Sequence, residues 1–160
     1  GRRFVFASRL FGITSYGVDA DRYYLGGIRF LEYAPGQIVV RGYQPAEFYR
    51  DYGPAAATVN FELRYPFIDR LKLAFPLPIE FGGIRGVAFL DGGTVAPWRT
   101  GRSFHLWDGS QGKFDDLKLG VGFGVRVTLS YFLLKFDFAK PLSTTNDSGW
   151  KFIFGLGADF

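Results

Sequence analysis

Leu117-Lys118-Leu119-Gly120-Val121-Gly122-Phe123-Gly124-Val125-Arg126-Val127-Thr128-Leu129 is the stretch whose reading decides the fold. Every odd position is apolar, and every even one is glycine, lysine, arginine or threonine. Period two sends these sets to opposite faces of an extended strand, whereas a helix would scatter them around its circumference. The run exceeds the ~5–6 residues usual in soluble strands and meets the roughly 9–11 that cross a bilayer.

The neighbouring segments repeat the pattern. Phe132, Leu134, Phe136 and Phe138 alternate with Lys135 and Asp137 in a strand that ends at Pro141. From Trp150 the even positions are Trp150, Phe152, Phe154, Leu156, Ala158 and Phe160. Lys151, Gly155, Gly157 and Asp159 take the odd ones, with Ile153 the apolar exception. Upstream, Val59, Phe61, Leu63 and Tyr65 alternate with Thr58, Asn60, Glu62 and Arg64, and Pro66, lacking a donor, is expected to stop the strand. A strand from Ile84 to Leu90 is expected to precede a turn at Asp91-Gly92-Gly93, and a first strand covers Phe4 to Tyr16, its facing undecided. Asp69 to Phe81 either lengthens its neighbours or forms a loop. The total is about six strands.

Composition points the same way. Aromatic residues make up 19% of the 160, led by phenylalanine, beside 22 glycines. Abundant aromatics suit outward positions in a bilayer, and glycine suits close strand contacts. A mean hydropathy of +0.05 is what half-wet strands produce. No apolar run approaches the roughly 18 residues of a spanning helix. A soluble antiparallel barrel also alternates, but a face of glycine, lysine and arginine does not suit a packed core. The fold class expected is all-β, an antiparallel transmembrane β-barrel, with residues 1–160 a single portion of it. No signal peptide opens the chain, so a fragment or processed product is expected.

Connection lengths suggest orientation. Leu129-Ser130-Tyr131 is a tight turn, whereas residues 17–55 and 96–116 are long. Outer-membrane barrels have short periplasmic turns and longer external loops, which places 17–55 outside. Trp98 and Trp150 then stand at outer strand ends, where an interfacial aromatic girdle belongs.

Several chemistries find little to build on. The chain has no cysteine and one histidine, His105, in a polar loop with Arg102 and Trp107, so triad or thiolate catalysis lacks its parts. Asp19 and Asp21 form a lone Asp-x-Asp of a kind usually solvated, and no metal or other cofactor is expected. Gly120, Gly122 and Gly124 lie within a strand with no helix after them to receive a phosphate. The net charge of +4 is spread along the chain, and no nucleic-acid partner is expected. Asn146-Asp147-Ser148 matches a glycosylation triplet, which arises often by chance.

Within the first long loop stands Val39-Val40-Arg41-Gly42-Tyr43. This resembles the Val-Arg-Gly-Phe/Tyr motif in the sixth external loop of the outer-membrane assembly and translocation barrels. That superfamily includes BamA and TamA, the two-partner secretion transporters and the bacterial surface antigen family. The order of the later segments extends the resemblance. Phe61-Glu62-Leu63-Arg64-Tyr65-Pro66 resembles the family's twelfth strand with its inward glutamate, and Phe89-Leu90-Asp91-Gly92-Gly93 the thirteenth, ending in Asp-x-Gly. The strands from Leu117 and to Pro141 resemble the fourteenth and fifteenth, and Phe154, Gly155, Ala158 and Phe160 the closing assembly signal. Extra residues between Gly26-Gly27 and Arg41 depart from the family's loop.

The resemblance implies the last strands of a barrel of about 16 strands in the bacterial outer membrane of a Gram-negative cell. It implies a non-catalytic role in assembling or translocating proteins. Its partners would be outer-membrane lipid, unfolded or nascent client proteins, and the remaining barrel strands and periplasmic domains. A passive anchor or pore for a fused domain is the alternative, and a soluble β-barrel holding an apolar ligand a third. Beside the resemblance, Gly42 can adopt a tip conformation closed to other residues. Glu62 lies on the polar register, and Asp91 shares it if Arg85, Val87 and Phe89 point inward. A guanidinium can hold two carboxylates, so Arg41 is expected to dock on Asp91 and Glu62 with Tyr43 beside them.

Overall fold

A computed structural model of the chain describes residues 3–26, 37–43, 52–69, 71–73, 79–96, 105, 107–110, 113–114, 116–129, 132–142 and 149–157. The described residues form strands and connections, with no helix among them. In chain order the strands are β1 (Val5–Thr14), β2 (Tyr23–Gly26), β3 (Gln37–Val39), β4 (Tyr52–Gly53), β5 (Ala55–Ile68) and β6 (Leu71–Leu73). They continue as β7 (Ile79–Ala96), β8 (Trp107–Asp108), β9 (Lys113–Phe114), β10 (Lys118–Leu129), β11 (Phe132–Pro141) and β12 (Lys151–Leu156).

The long strands pair in the order β1-β5-β7-β10-β11-β12, each neighbour antiparallel, with β6 beside one end of β7. The path is open: β1 and β12 are its two ends. Register aligns side chains into rows across the inner face. One row runs Arg9, Asn60, Asp91, Gly120, Pro141, and the next Ala7, Glu62, Phe89, Gly122, Ala139, Lys151. The third runs Val5, Arg64, Val87, Gly124, Asp137, Ile153, and the fourth Pro66, Arg85, Arg126, Lys135, Gly155.

Burial on this sheet is the reverse of a soluble protein's. Asp91 is wholly buried and Glu62 is 2% exposed, whereas Phe123 and Phe152 on the other face are 54% and 56% exposed. The outer phenylalanines touch one another across strands. Phe123 stacks on Phe138 at 5.6 Å between centroids, Phe138 meets Phe152 at 5.2 Å, and Trp150 joins Phe123 at 5.4 Å. A second group, Phe6 on Phe61 and Phe4 on Tyr65, covers β1 and β5. A contiguous aromatic face of this kind needs an apolar solvent. The exception in the last strand is explained by position: Ile153 points inward and is buried with Val87, Phe89 and Ala139.

Two local expectations change, and one open alternative is decided in part. Pro66 does not stop β5; the strand continues to Ile68 through a register shift, Pro66 facing Arg85 and Ile68 facing Ile84. A bulge absorbs the missing donor. Asp91-Gly92-Gly93 is no turn, because those residues pair with Asn60, Val59 and Thr58 on one side and Gly120, Leu119 and Lys118 on the other. Having neighbours on both sides outweighs local turn propensity. Of residues 69–81, Leu71–Leu73 form β6 and pair with residues 79–81 at the start of β7, which extends the sheet there. β1 spans Val5–Thr14 and β12 begins at Lys151, each shorter than the alternation alone suggests.

Candidate functional site

The long connection between β1 and β5 carries a small sheet of its own, β3-β2-β4, with β2 and β3 parallel. Its apolar residues have one place to go. Tyr23, Leu25, Ile38, Val40 and Tyr43 are buried together with Ala56 of β5 and Val95 of β7, and half-buried Phe11 and Ile13 of β1 pack against them. These residues of the connection therefore lie against the inner face of the main sheet. This burial, at roughly 1.5–3 kcal/mol per large side chain, brings Arg41 to the wall.

The wall is shaped to receive it. Gly120, Gly122 and Gly124 leave the middle of β10 bare between the side chains of β7 and β11. A Cβ on Gly120 would collide with the Arg41 carbonyl oxygen, and one on Gly124 with the Asp137 carboxylate. The stripe of small residues is a trough. Gly42, at φ +98°, turns the chain at its deepest point, where a Cβ would lie 3.1 Å from the Lys140 carbonyl carbon and the Pro141 nitrogen. Positive φ and close approach both demand glycine there.

Arg41 fills the trough. Its Nε donates to Asp91 Oδ2 at 2.6 Å and one terminal nitrogen donates to Asp91 Oδ1 at 2.8 Å. The other donates to Glu62 Oε1 at 2.7 Å and stands 3.5 Å from Asp137 Oδ2. The guanidinium carbon sits 3.6 Å above the centre of the Phe89 ring, a cation–π contact. Asp91 receives two further donors, the Arg41 backbone N–H at 3.1 Å and Asn60 Nδ2 at 3.0 Å, which uses all four of its acceptor sites. Tyr43 donates its hydroxyl to the Leu119 carbonyl at 2.8 Å.

Two arginines of the wall complete the cluster. Arg126 donates both terminal nitrogens to Asp137, at 2.5 and 3.1 Å, and lies 3.7 Å from Glu62 Oε1. Arg64 donates Nε to Glu62 Oε2 at 3.0 Å. Glu62, Asp91 and Asp137 thus face Arg64, Arg126 and Arg41, three negative charges against three positive. Without the loop, the wall would keep a net −1 in a buried place. Burial alone would pull the Arg41 pKa down; its hydrogen bond to Asp91 and the charges of Asp91, Asp137 and Glu62 outweigh that, and the pKa is raised. Arg41 remains charged at every accessible pH.

The structure therefore brings Arg41, Gly42, Tyr43, Glu62 and Asp91 into one place. Arg126, Asp137, Asn60, Arg64 and Phe89 also belong to it and were not singled out by sequence. Arg126 and Asp137 do lie on the polar register of their strands, but opposite Lys135 and Gly124 respectively. Their contact is diagonal and depends on the cross-strand register. Of the terminal-strand residues, Phe154 packs on Phe136 at 5.4 Å and Gly155 faces Lys135, while Ala158 and Phe160 lie outside the described residues, as does Trp98. His105 is exposed, its backbone N–H donating to Asp116 Oδ2 at 2.8 Å. Asp19 and Asp21 are exposed, and no group of metal-ligating side chains occurs among the described residues.

In a comparison with known families, residues 11–160 match the Omp85 superfamily domain. No curated protein and no solved structure matches the chain.

Proposed function

The chain belongs to the Omp85 superfamily of outer-membrane barrels, and from that premise we propose that it helps assemble or translocate other proteins without catalysing a reaction. Residues 17–55 act in this reading as an external loop that docks inside the barrel. The observation that carries it is the match of the loop to the wall: Arg41 supplies the positive charge that the buried Glu62, Asp91 and Asp137 lack. A wall built around one loop arginine holds the loop in a single position, so the barrel closes over a defined interior.

The working part is backbone rather than side chain. β12 ends the sheet among the described residues, and in this reading its outer edge meets the first strand of the whole barrel at a weak seam whose opening frees backbone donors and acceptors. An incoming client strand can pair with such an edge. Gly155 in β12 reduces side-chain packing and keeps that edge loosely held. Phe154, Gly155, Ala158 and Phe160 serve in this reading as the segment by which the barrel itself is assembled. The outer leaflet and periplasmic mouth of a Gram-negative outer membrane supply the surroundings, with lipid against the aromatic face.

The test is direct. The intact barrel is reconstituted in lipid vesicles, and the folding of a urea-unfolded outer-membrane client is followed by its change in gel mobility. Acceleration over protein-free vesicles supports assembly. A folding rate equal to that of empty vesicles, from a barrel that is itself folded, refutes it in favour of a passive anchor.

A further inference from the structure

The docked loop fastens the wall from inside, strand by strand. Phe11 and Ile13 of β1, Ala56 of β5 and Val95 of β7 pack on its apolar residues. Tyr43 bonds to Leu119 of β10, and Arg41 and Gly42 reach Asp137 and Lys140 of β11. β12 is held differently. Its one buried side chain, Ile153, lies with Val87, Phe89 and Ala139 of the wall, in a cluster separate from that of the loop. β12 has six residues against ten in β11. Gly155 leaves little side chain over its inner side, so water in the lumen competes there for its backbone bonds.

The ties of β12 gather on its outer side. Phe152 meets Phe138 at 5.2 Å between ring centroids and Phe136 at 6.4 Å, and Phe154 meets Phe136 at 5.4 Å. Phe138 stacks in turn on Phe123 of β10 at 5.6 Å. Trp150, just ahead of β12, reaches past β11 to Phe123 at 5.4 Å. These rings join the last three strands in one run. Lipid chains are as apolar as the rings, so escape from water adds nothing to these contacts. What they supply is the attraction of one aromatic ring for another in offset or edge geometry. A leucine in the same place would be equally at home in lipid and would make no such contact.

We propose that Phe136, Phe138, Phe152 and Phe154 are positioning residues that clamp the last strand to the wall, so that the seam opens while the β11–β12 pairing holds. The proposal rests on the reading that client strands pair with β12, and it names what keeps β12 in place while they do. The two edges of β12 are then unequal. One is bound to β11 through backbone and rings, and the other is left to exchange the first strand of the barrel for a client strand. A last strand without the clamp would leave the wall with the client, and the template would be lost.

The test compares the intact barrel in lipid vesicles with its Phe136→Leu/Phe138→Leu variant, which keeps the outer face apolar. Amide hydrogen exchange across 151–156, read by mass spectrometry without client, is expected to quicken about tenfold in the variant. Should the double change lower the folded yield, Phe136→Leu alone is read, with about threefold expected. Phe136→Trp/Phe138→Trp keeps the rings and should stay within about twofold of the wild type. Phe6→Leu/Phe61→Leu removes a ring pair, at 6.0 Å, between strands that the loop already ties, and exchange across 5–14 should change by less than about twofold. Unchanged exchange across 151–156 in the leucine variant overturns the clamp, as does an equal loosening of β1 in the Phe6/Phe61 variant. The client-folding assay is scored separately. Where the wild type speeds client folding, the leucine variant is expected to do so about threefold less, and an unaltered or faster rate beside a loosened β12 overturns the positioning role. A wild type that does not speed client folding, with β12 loosened in the leucine variant, sinks the assembly reading alone.

Discussion

Replacing Arg41 by alanine removes three charge-assisted side-chain hydrogen bonds, at 2.6, 2.7 and 2.8 Å, and the cation–π contact over Phe89. At roughly 1.5–3 kcal/mol for each bond to a charged group, the gross loss is about 4–9 kcal/mol. Part of this returns. Arg126 already lies 3.7 Å from Glu62 and can move onto it, and water can enter the emptied trough. Asp91 has no such relief: wholly buried, it keeps only Asn60 and the residue-41 backbone N–H. The expected net destabilisation is about 3–5 kcal/mol, the range for leaving a buried charge without its partner. Equilibrium urea unfolding of the intact barrel in lipid, followed by tryptophan fluorescence and gel mobility, measures it. Adding Asp91→Asn removes the stranded charge, so the double variant is expected to be more stable than the sum of the two single losses predicts, by about 2 kcal/mol or more. Arg41→Ala should also open residues 37–43 to added protease. A single-variant loss below about 0.5 kcal/mol, or additive losses in the cycle, would refute the reasoning.

Neighbouring contacts support further expectations. Gly120→Ala places a methyl group against the Arg41 carbonyl oxygen and should lower stability by about 1–3 kcal/mol in the same unfolding assay, with the loop rather than the strand displaced. Gly42→Ala should cost about 1–3 kcal/mol, from positive φ and the approach to Lys140 and Pro141, with unfolding again the measure. Tyr43→Phe loses one hydrogen bond to the Leu119 carbonyl and is expected to cost about 1 kcal/mol in that assay. Phe123→Lys, at an exposed outer position, should reduce barrel stability in lipid by about 2–4 kcal/mol if it lies near the bilayer midplane; the same change on a water-facing surface would be almost neutral.

Much of the fold was legible because period two is a strong signal when both faces are distinctive. The alternation from residue 117 to 129 placed Phe123 outward and Gly122 and Arg126 inward, as the structure has them. Legibility failed where tertiary context overrides local chemistry. Asp91-Gly92-Gly93 has turn composition, yet β5 and β10 hold it extended. Pro66 looks like a stop, but a bulge accommodates it. At the site, Arg41, Glu62 and Asp91 could be named from motif order and polar register. The role of the glycine stripe as a trough could not, because it depends on the loop lying over β10. Nor could the Arg126–Asp137 pair, whose diagonal contact requires the register of two strands.

The claim beneath all of this is that the aromatic side of the sheet is solvated by lipid while the charged side meets protein and water. Spin labels placed singly at positions 123, 138 and 152 outside, and 85 and 135 inside, measure it through collision rates with oxygen and with a water-soluble nickel complex in the vesicle-reconstituted barrel. Oxygen should dominate at the first three and nickel at the last two. Nickel access at 123, 138 and 152 equal to that at 85 would contradict it.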